Sequence, residues 1–146
     1  MSSFFQSMSI SSSALTAQRL RMNILSSNLA NVNTTRTDEG GPYKRKDAVF
    51  SAVPVSNDQS NLIDEDLGTP LRKVQVVEIH SDQKDPRRVF DPSNPDADKD
   101  GYVLMPNIEV MTEMVNMILA TRTYEANATA LNAAKSMAQK ALEIGV

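Results

Sequence analysis

The stretch NIEVMTEMVNMILATRTYEANATALNAAKSMAQKALEI (residues 107–144) carries the strongest structural signal in the sequence. It contains neither glycine nor proline, the two residues that most disfavour a helix, and Pro106 precedes it. A mainly apolar stripe recurs along it at steps of three or four residues, interrupted once at Lys135. Its members are Val110, Met114, Met117, Thr121, Tyr124, Ala128, Leu131, Ala138 and Leu142. The stretch predicts one helix about 55 Å long, too long for a chain of this size to cover completely.

The N-terminal residues repeat this pattern. Residues 1–39 also lack glycine and proline, and their seam follows alternating steps of four and three residues. A cluster of asparagine and threonine at 31–35 predicts that this helix ends near residue 32. The seam consists of Phe4, Met8, Ser11, Leu15, Gln18, Met22, Leu25, Leu29 and Val32.

The middle of the chain has a different character, because all seven prolines and four of the five glycines lie there. The runs AVFSAV, KVQVVEIH and GYVLM predict strands, and SNDQSNLIDEDLGTP (56–70) predicts a mobile loop. We therefore predict three segments: residues 1–37 with the N-terminal helix, a β-rich insert over 38–106, and residues 107–146 with the C-terminal helix. The fold class is mainly α with a small β-rich insert, and the two terminal helices pair as a coiled-coil-like hairpin.

Composition excludes several classes of function. The 146 residues carry a net charge of −3, which disfavours nucleic acid as a partner. Without cysteine, with a single histidine and without a phosphate-binding glycine motif, the chain offers no catalytic, cofactor-binding or metal-binding set. The serine-rich N-terminus does not have the pattern of a cleaved signal peptide. Insertion into a membrane is not expected either, because the sequence has no continuous apolar span of sufficient length.

The segment DADKDGYV (96–103) resembles the start of a calcium loop, with Asp96, Asp98 and Asp100 at alternate positions and Gly101 sixth. The twelfth position, where a bidentate glutamate belongs, is Asn107. We therefore favour an acidic turn before a strand. A calcium-binding regulatory module and a soluble coiled-coil adaptor remain as alternative functions.

Two further patterns favour ordinary structural roles. The basic run at 44–46 is interpreted as a solvated face, with contact to an anionic patch on a neighbouring subunit as the alternative. Helical spacing of the methionines indicates a packed seam rather than an adaptable binding groove. The methionines concerned are Met105, Met111, Met114, Met117 and Met137.

The segment around Tyr124 allows two interpretations. In the first, Tyr124 belongs to the helix stripe while Arg122 and Glu125 form a surface pair. In the second, Arg122 and Tyr124 fix the register of adjacent helices together with Asn127 and Asn132.

Two stretches carry a family resemblance, SSNLANVNTTRTDEGGPYKRK (26–46) and MILATRTYEANATALNAAKSMAQKALEI (117–144). They resemble the axial rod and hook proteins of the bacterial flagellum, which share an SxNxAN-type motif and an R-x-Y-E-x-N core. The connection TTRTDEGGPY is longer than the usual turn of the family, so the contacts of Tyr43 do not follow from other members. The matching positions are Ser27, Asn28, Leu29, Ala30 and Asn31, then Arg122, Tyr124, Glu125 and Asn127.

The resemblance implies a structural subunit that polymerises into a tubular drive shaft and transmits torque. Its partners would be copies of itself, other rod and basal-body proteins, and the flagellar type III export apparatus. Its location would be the proximal rod of the basal body in the periplasm, reached without a cleaved signal peptide.

Assembly is expected to depend on the seams and the two motifs. Because each helix needs apolar faces from its neighbours, we expect a monomer whose loose ends fold on assembly. The predicted interface comprises Leu15, Met22, Leu25, Asn28, Leu29, Ala30, Asn31, Met114, Met117, Arg122, Tyr124, Asn127 and Leu131.

Overall fold

The computed structural model describes residues 2–55 and 71–144. Within these ranges, two long helices flank four strands in chain order. The strands pair in two separate antiparallel hairpins, the first with the second and the third with the fourth. The elements are α1 (Ser2–Ala30), β1 (Lys46–Pro54), β2 (Arg72–Ser81), β3 (Arg87–Phe90), β4 (Tyr102–Met105) and α2 (Val110–Ile144).

These elements confirm the prediction of two terminal helices with a small β insert between them. Strands β1, β2 and β4 lie on the three predicted runs, whereas β3 was not predicted because its sequence RRVF is short and half arginine. Helix α1 ends at Ala30, close to the predicted end. The loop predicted at 56–70 lies outside the described residues.

The two helices lie side by side and run antiparallel. Asn28 near the end of α1 contacts Glu113 near the start of α2, and Met22 Sδ lies 3.6 Å from the Thr121 hydroxyl. Every position of the predicted α1 seam is buried or half-buried. Helix α2 continues beyond the start of α1, which explains why Leu142 is 70% exposed although it lies on the α1-facing side.

Helix α1 is the central layer, because the β1–β2 hairpin packs on its other side. The backbone N–H of Val74 in β2 donates to Ser13 Oγ at 3.1 Å, and that of Lys46 in β1 donates to Asn28 Oδ1 at 3.0 Å. The hairpin therefore runs along α1. Within the described residues, α2 packs against α1 and against neither hairpin.

Helix α2 begins at Val110, where the Glu109 carbonyl accepts the first helical hydrogen bond from Glu113 N at 3.0 Å. The side of α2 that faces α1 is rotated around the helix axis by about 50° from the predicted stripe, which is half the angle between successive residues. Val110 and Met114 of that stripe are exposed, and Glu113 and Ala120 are buried instead. The contacts of the Glu113 carboxylate explain this rotation.

Candidate assembly site

A buried polar cluster joins the end of α1, the start of β1 and the first turns of α2. At its centre the Asn28 side chain is fully buried. Its Nδ2 donates to Glu113 Oε2 at 2.9 Å and to the Lys46 carbonyl at 2.8 Å. Its Oδ1 accepts from Lys46 N at 3.0 Å and from the Tyr43 hydroxyl at 3.1 Å. Both donors and both acceptor sites of the amide are therefore satisfied. We call Asn28, Tyr43, Arg45 and Glu113 the polar cluster.

The charge of Glu113 is balanced inside this cluster. Only 1% of Glu113 is exposed, and its Oε1 accepts from Arg45 Nε at 2.7 Å. Burial opposes the charged form of Arg45, but hydrogen bonds and charge from Glu113 and Asp47 outweigh it and hold the pKa of the guanidinium above its ordinary value. The interpretation of the basic run at 44–46 as a solvated face is wrong for Arg45, which is half-buried and paired.

The asparagine motif also ends α1. Asn31 Nδ2 donates to the Ser27 carbonyl at 2.9 Å, and Asn31 Oδ1 accepts from the Thr34 hydroxyl at 3.1 Å. The Ser27 carbonyl, which also accepts from the backbone N–H of Asn31 at 3.1 Å, thereby gains a second donor at the helix end. Ser27 Oγ lies 3.3 Å from the Tyr43 hydroxyl, which joins the helix end to the polar cluster.

The connection after α1 returns the chain to the helix end. Thr37 N donates to the Gly41 carbonyl at 2.9 Å, and Tyr43 N donates to the Thr34 carbonyl at 3.1 Å. Gly40 and Gly41 adopt positive φ angles of 84° and 76°, which favour glycine. This compact turn places Tyr43 and Arg45 beside Asn28, so the long form of the connection builds the polar cluster.

The first turns of α2 present a second apolar surface, directed away from α1. Met111 is 68% exposed and Ile118 is 58% exposed. The only charged residue between 110 and 119 is the buried Glu113. We call this surface the outer face, and its members are Val110, Met111, Met114, Val115, Ile118 and Leu119.

The outer face is confined to the start of α2. Farther along, the same side of the helix carries polar and small residues such as Arg122, Thr129 and Ser136, all exposed. The prediction that the methionines fill a packed seam is wrong for Met111, Met114 and Met137, which are exposed. A helix that is apolar on all sides is normally buried, so the outer face has the character of a contact surface.

The second motif lies farther along α2. Arg122 Nη1 is 3.8 Å from Glu125 Oε2 in an exposed pair, as in the first interpretation of this segment. Tyr124 is half-buried on the side toward α1, and Asn127 Nδ2 donates to the Thr123 carbonyl at 2.9 Å. These contacts all lie within one chain, so a role in the register between subunits stays a prediction.

The acidic segment between β3 and β4 is a turn. Asp98 Oδ1 accepts backbone hydrogen bonds from Tyr102 N at 2.9 Å and Asp100 N at 3.0 Å. These bonds, the Tyr102 bond foremost, lower the pKa of Asp98, and Arg88 contributes with an ion pair of 3.4 Å. Across the described ranges, no three acidic or imidazole side chains converge to hold a metal ion. The geometry therefore does not support a calcium module.

The structure distributes the predicted interface residues between three environments. Leu25 and Asn28 are buried, and Ala30, Met114 and Arg122 are exposed. The half-buried ones are Leu15, Met22, Leu29, Asn31, Met117, Tyr124, Asn127 and Leu131.

Three members of the polar cluster were not predicted as site residues. Arg45 and Glu113 lie 68 residues apart, and Asn28 and Glu113 lie 85 apart. No local pattern indicates such pairs. The one available signal was a glutamate flanked by apolar residues in a predicted helix, because a charge in an apolar segment needs a partner.

Comparison with known proteins places both ends of the chain among flagellar proteins. The family "Flagella basal body rod protein" matches residues 8–36, and "Flagellar basal body rod FlgEFG protein C-terminal" matches residues 99–144. The flagellar basal-body rod protein FlgC of Bacillus subtilis is 45% identical over 97% of both chains. FlgC of Borreliella burgdorferi is 42% identical over 96% of both chains, and FlgC of Aquifex aeolicus is 40% identical over 98%. Among the described residues, no helix is long and apolar enough to span a bilayer.

Proposed function

The chain belongs to the FlgC family of flagellar basal-body rod proteins and is a structural, non-enzymatic rod subunit; from this premise we propose that it polymerises through its two terminal helices. As a rod protein it lies in the flagellar basal body and assembles with other rod proteins. The polymer would be the tubular drive shaft that transmits torque.

The outer face of α2 is the observation that carries this proposal. Its apolar side chains are exposed in the single chain, while the opposite side of the same turns packs on α1. Burying a large apolar side chain stabilises a contact by about 1.5–3 kcal/mol, so this surface favours association. Rod growth needs contacts of this heterologous kind, which do not close on themselves. The proposed occupant is a terminal helix of a neighbouring rod subunit.

The helix pair supplies the frame for this contact. We infer that α1 and α2 pair in the manner of a coiled coil, supported by the alternating seam of α1 and its burial along the whole helix. The terminal helices would form the inner wall of the tube and the β insert its outer part. The residues 1–37 and 107–146 would then act as one axial domain.

Folding of the helix ends would be completed by assembly. Phe5 at the start of α1 is 64% exposed, and Met137 and Leu142 near the end of α2 are similarly open. These three side chains lie at the ends of the helices farther from the polar cluster and keep most of their surface exposed. Loose ends and a chain without cysteine suit passage through the flagellar type III export apparatus without a cleaved signal peptide, toward the proximal rod in the periplasm.

Substitution of Ile118 by aspartate tests the outer face. Ile118→Asp is expected to leave the far-UV circular dichroism of the purified chain unchanged, because the side chain is 58% exposed. In cells that lack their own copy of this protein it should abolish swimming and rod formation, because a charge then enters the subunit contact.

Ser136→Asp is the matched control, because Ser136 is exposed and lies about five turns farther along the same side of α2. Ser136→Asp should restore swimming to cells that lack their own copy of this protein. Normal rods built from the Ile118→Asp chain would overturn the proposed contact.

A further inference from the structure

The seams of the two helices do not by themselves define how far one helix is displaced along the other. The α1 seam repeats at steps of four and three residues, and the α1-facing side of α2 repeats in the same way. Its later positions are small, as at Ala128, Ala134 and Ala138. A displacement by one heptad, about 10 Å, would again set apolar residues against apolar residues. Apolar packing of this kind specifies register weakly.

The polar cluster, in contrast, has one geometry. Asn28 uses both donors and both acceptor sites, Glu113 uses both carboxylate oxygens, and these two side chains are closed to solvent. A displacement by one heptad would set Ala120 or Pro106 at the place of Glu113. Each buried group that lost its partner would then carry the desolvation cost of an unsatisfied polar group.

One displaced alignment is a specific competitor. When α2 moves one heptad toward the start of α1, Glu113 comes opposite Arg21, since it now lies opposite Asn28. Arg21 Nε is buried and has no hydrogen-bond partner within the described parts of the chain. That alignment would give Glu113 one cationic partner, whereas the observed one gives it Arg45 and Asn28 together.

We propose that the polar cluster is a register lock, in which Asn28 and Glu113 act as positioning residues that allow α1 and α2 only one axial alignment. A single buried polar side chain can set the register of paired helices in this way. The lock concerns the fold of one chain. It also fixes the axial position of the outer face of α2 relative to α1 and the β insert. The importance of that position for the rod rests on the proposed function.

Disulfide formation inside a single chain measures the alignment, and the natural absence of cysteine gives a clean background. Met22→Cys with Thr121→Cys reports the observed alignment, because these residues are in contact. Met22→Cys with Met114→Cys, or with Ala128→Cys, reports the two heptad displacements. The full-length chain is oxidised at low concentration, so that links within one chain dominate.

In the otherwise unchanged chain the 22–121 link should exceed either displaced link by about tenfold or more. With Asn28→Leu added, the displaced links should approach the yield of the 22–121 link. Glu113→Gln keeps an acceptor for Asn28 but removes the charge facing Arg45, and should raise the displaced links by a smaller factor. If Asn28→Leu loses its helical circular dichroism, the yields of the displaced links in Glu113→Gln test the proposal instead.

Leu25→Ala is the matched control, because Leu25 is as buried as Asn28 on the same helix but lies outside the cluster. It should lower stability without producing displaced links. The proposal is overturned if the cluster variants keep the 22–121 link alone, if Leu25→Ala yields displaced links as readily, or if the unchanged chain shows no preference. None of these measurements involves assembly. A failure of the register lock can therefore be distinguished from a failure of the proposed contact at the outer face.

Discussion

The Asn28 amide donates a 2.9 Å hydrogen bond to the Glu113 carboxylate, and both side chains are closed to solvent. This contact joins the asparagine motif at the end of α1 to the first turns of α2. It also explains the rotation of α2 relative to its apolar stripe, because Glu113 must face α1. The rotation in turn leaves Met111 and Met114 outside the helix pair, where the outer face is formed.

Asn28→Ala should destabilise the chain by about 2–3 kcal/mol, because it leaves buried partners without hydrogen bonds. Urea unfolding followed by circular dichroism measures the change. Asn23→Ala is the control, since Asn23 is exposed on the same helix and should change the free energy of unfolding by less than about 0.5 kcal/mol. Equal effects of the two substitutions would contradict the assigned role of Asn28.

Leu29→Asp should abolish rod assembly, because it introduces a charge into the α1 seam where Leu29 is half-buried. The β1–β2 hairpin, which has its own backbone ladder, should keep its strand signals in NMR spectra. Electron microscopy of basal bodies measures the effect on the rod. Ser26→Asp changes an exposed residue of the same helix and should leave rods intact; a motile Leu29→Asp strain with normal rods would contradict the prediction.

Gly101→Ala should weaken the β3–β4 hairpin by about 1–3 kcal/mol, because strained backbone and crowding add. Gly101 has a φ of 79°, and an added Cβ would lie 3.0 Å from Phe90 Cε2. Gly41→Ala provides the comparison, since its φ is 76° but a Cβ there meets no heavy atom of the described chain within 4 Å. The amide that each glycine carbonyl holds is the readout, Asp91 N for Gly101 and Thr37 N for Gly41. Its exchange should accelerate more in the first variant; equal acceleration would show that crowding is unimportant.

Stability of the β3–β4 turn should fall in acid. The pKa of Asp98 lies below its ordinary value of 3.8, so the charged form is the one that the fold stabilises. Its contribution is complete above that ordinary value and is lost as the pH falls through the lowered pKa. The Tyr102 amide resonance, followed from pH 5 downward, should report this transition. In Asp98→Asn the transition should disappear, and its persistence would assign the titration to another group.

Local sequence patterns were sufficient for the helices and most of the strands. Freedom from glycine and proline, together with apolar spacing, marked α1 and α2, because helix formation depends on residues within one or two turns. The motif at 27–31 likewise marked the end of α1, where the Asn31 side chain donates to the Ser27 carbonyl. The flagellar resemblance also followed from motifs that are readable in linear order.

Tertiary structure alone decided which side of α2 faces α1 and which groups form the polar cluster. Apolar periodicity favoured the side containing Met114, but one buried carboxylate outweighed it, because Glu113 needs Asn28 and Arg45 as partners. Those partners are distant in the chain and come together only when α1, the turn before β1 and α2 meet. A buried charge needs partners, but the spacing of residues along the sequence does not indicate which distant residues will supply them.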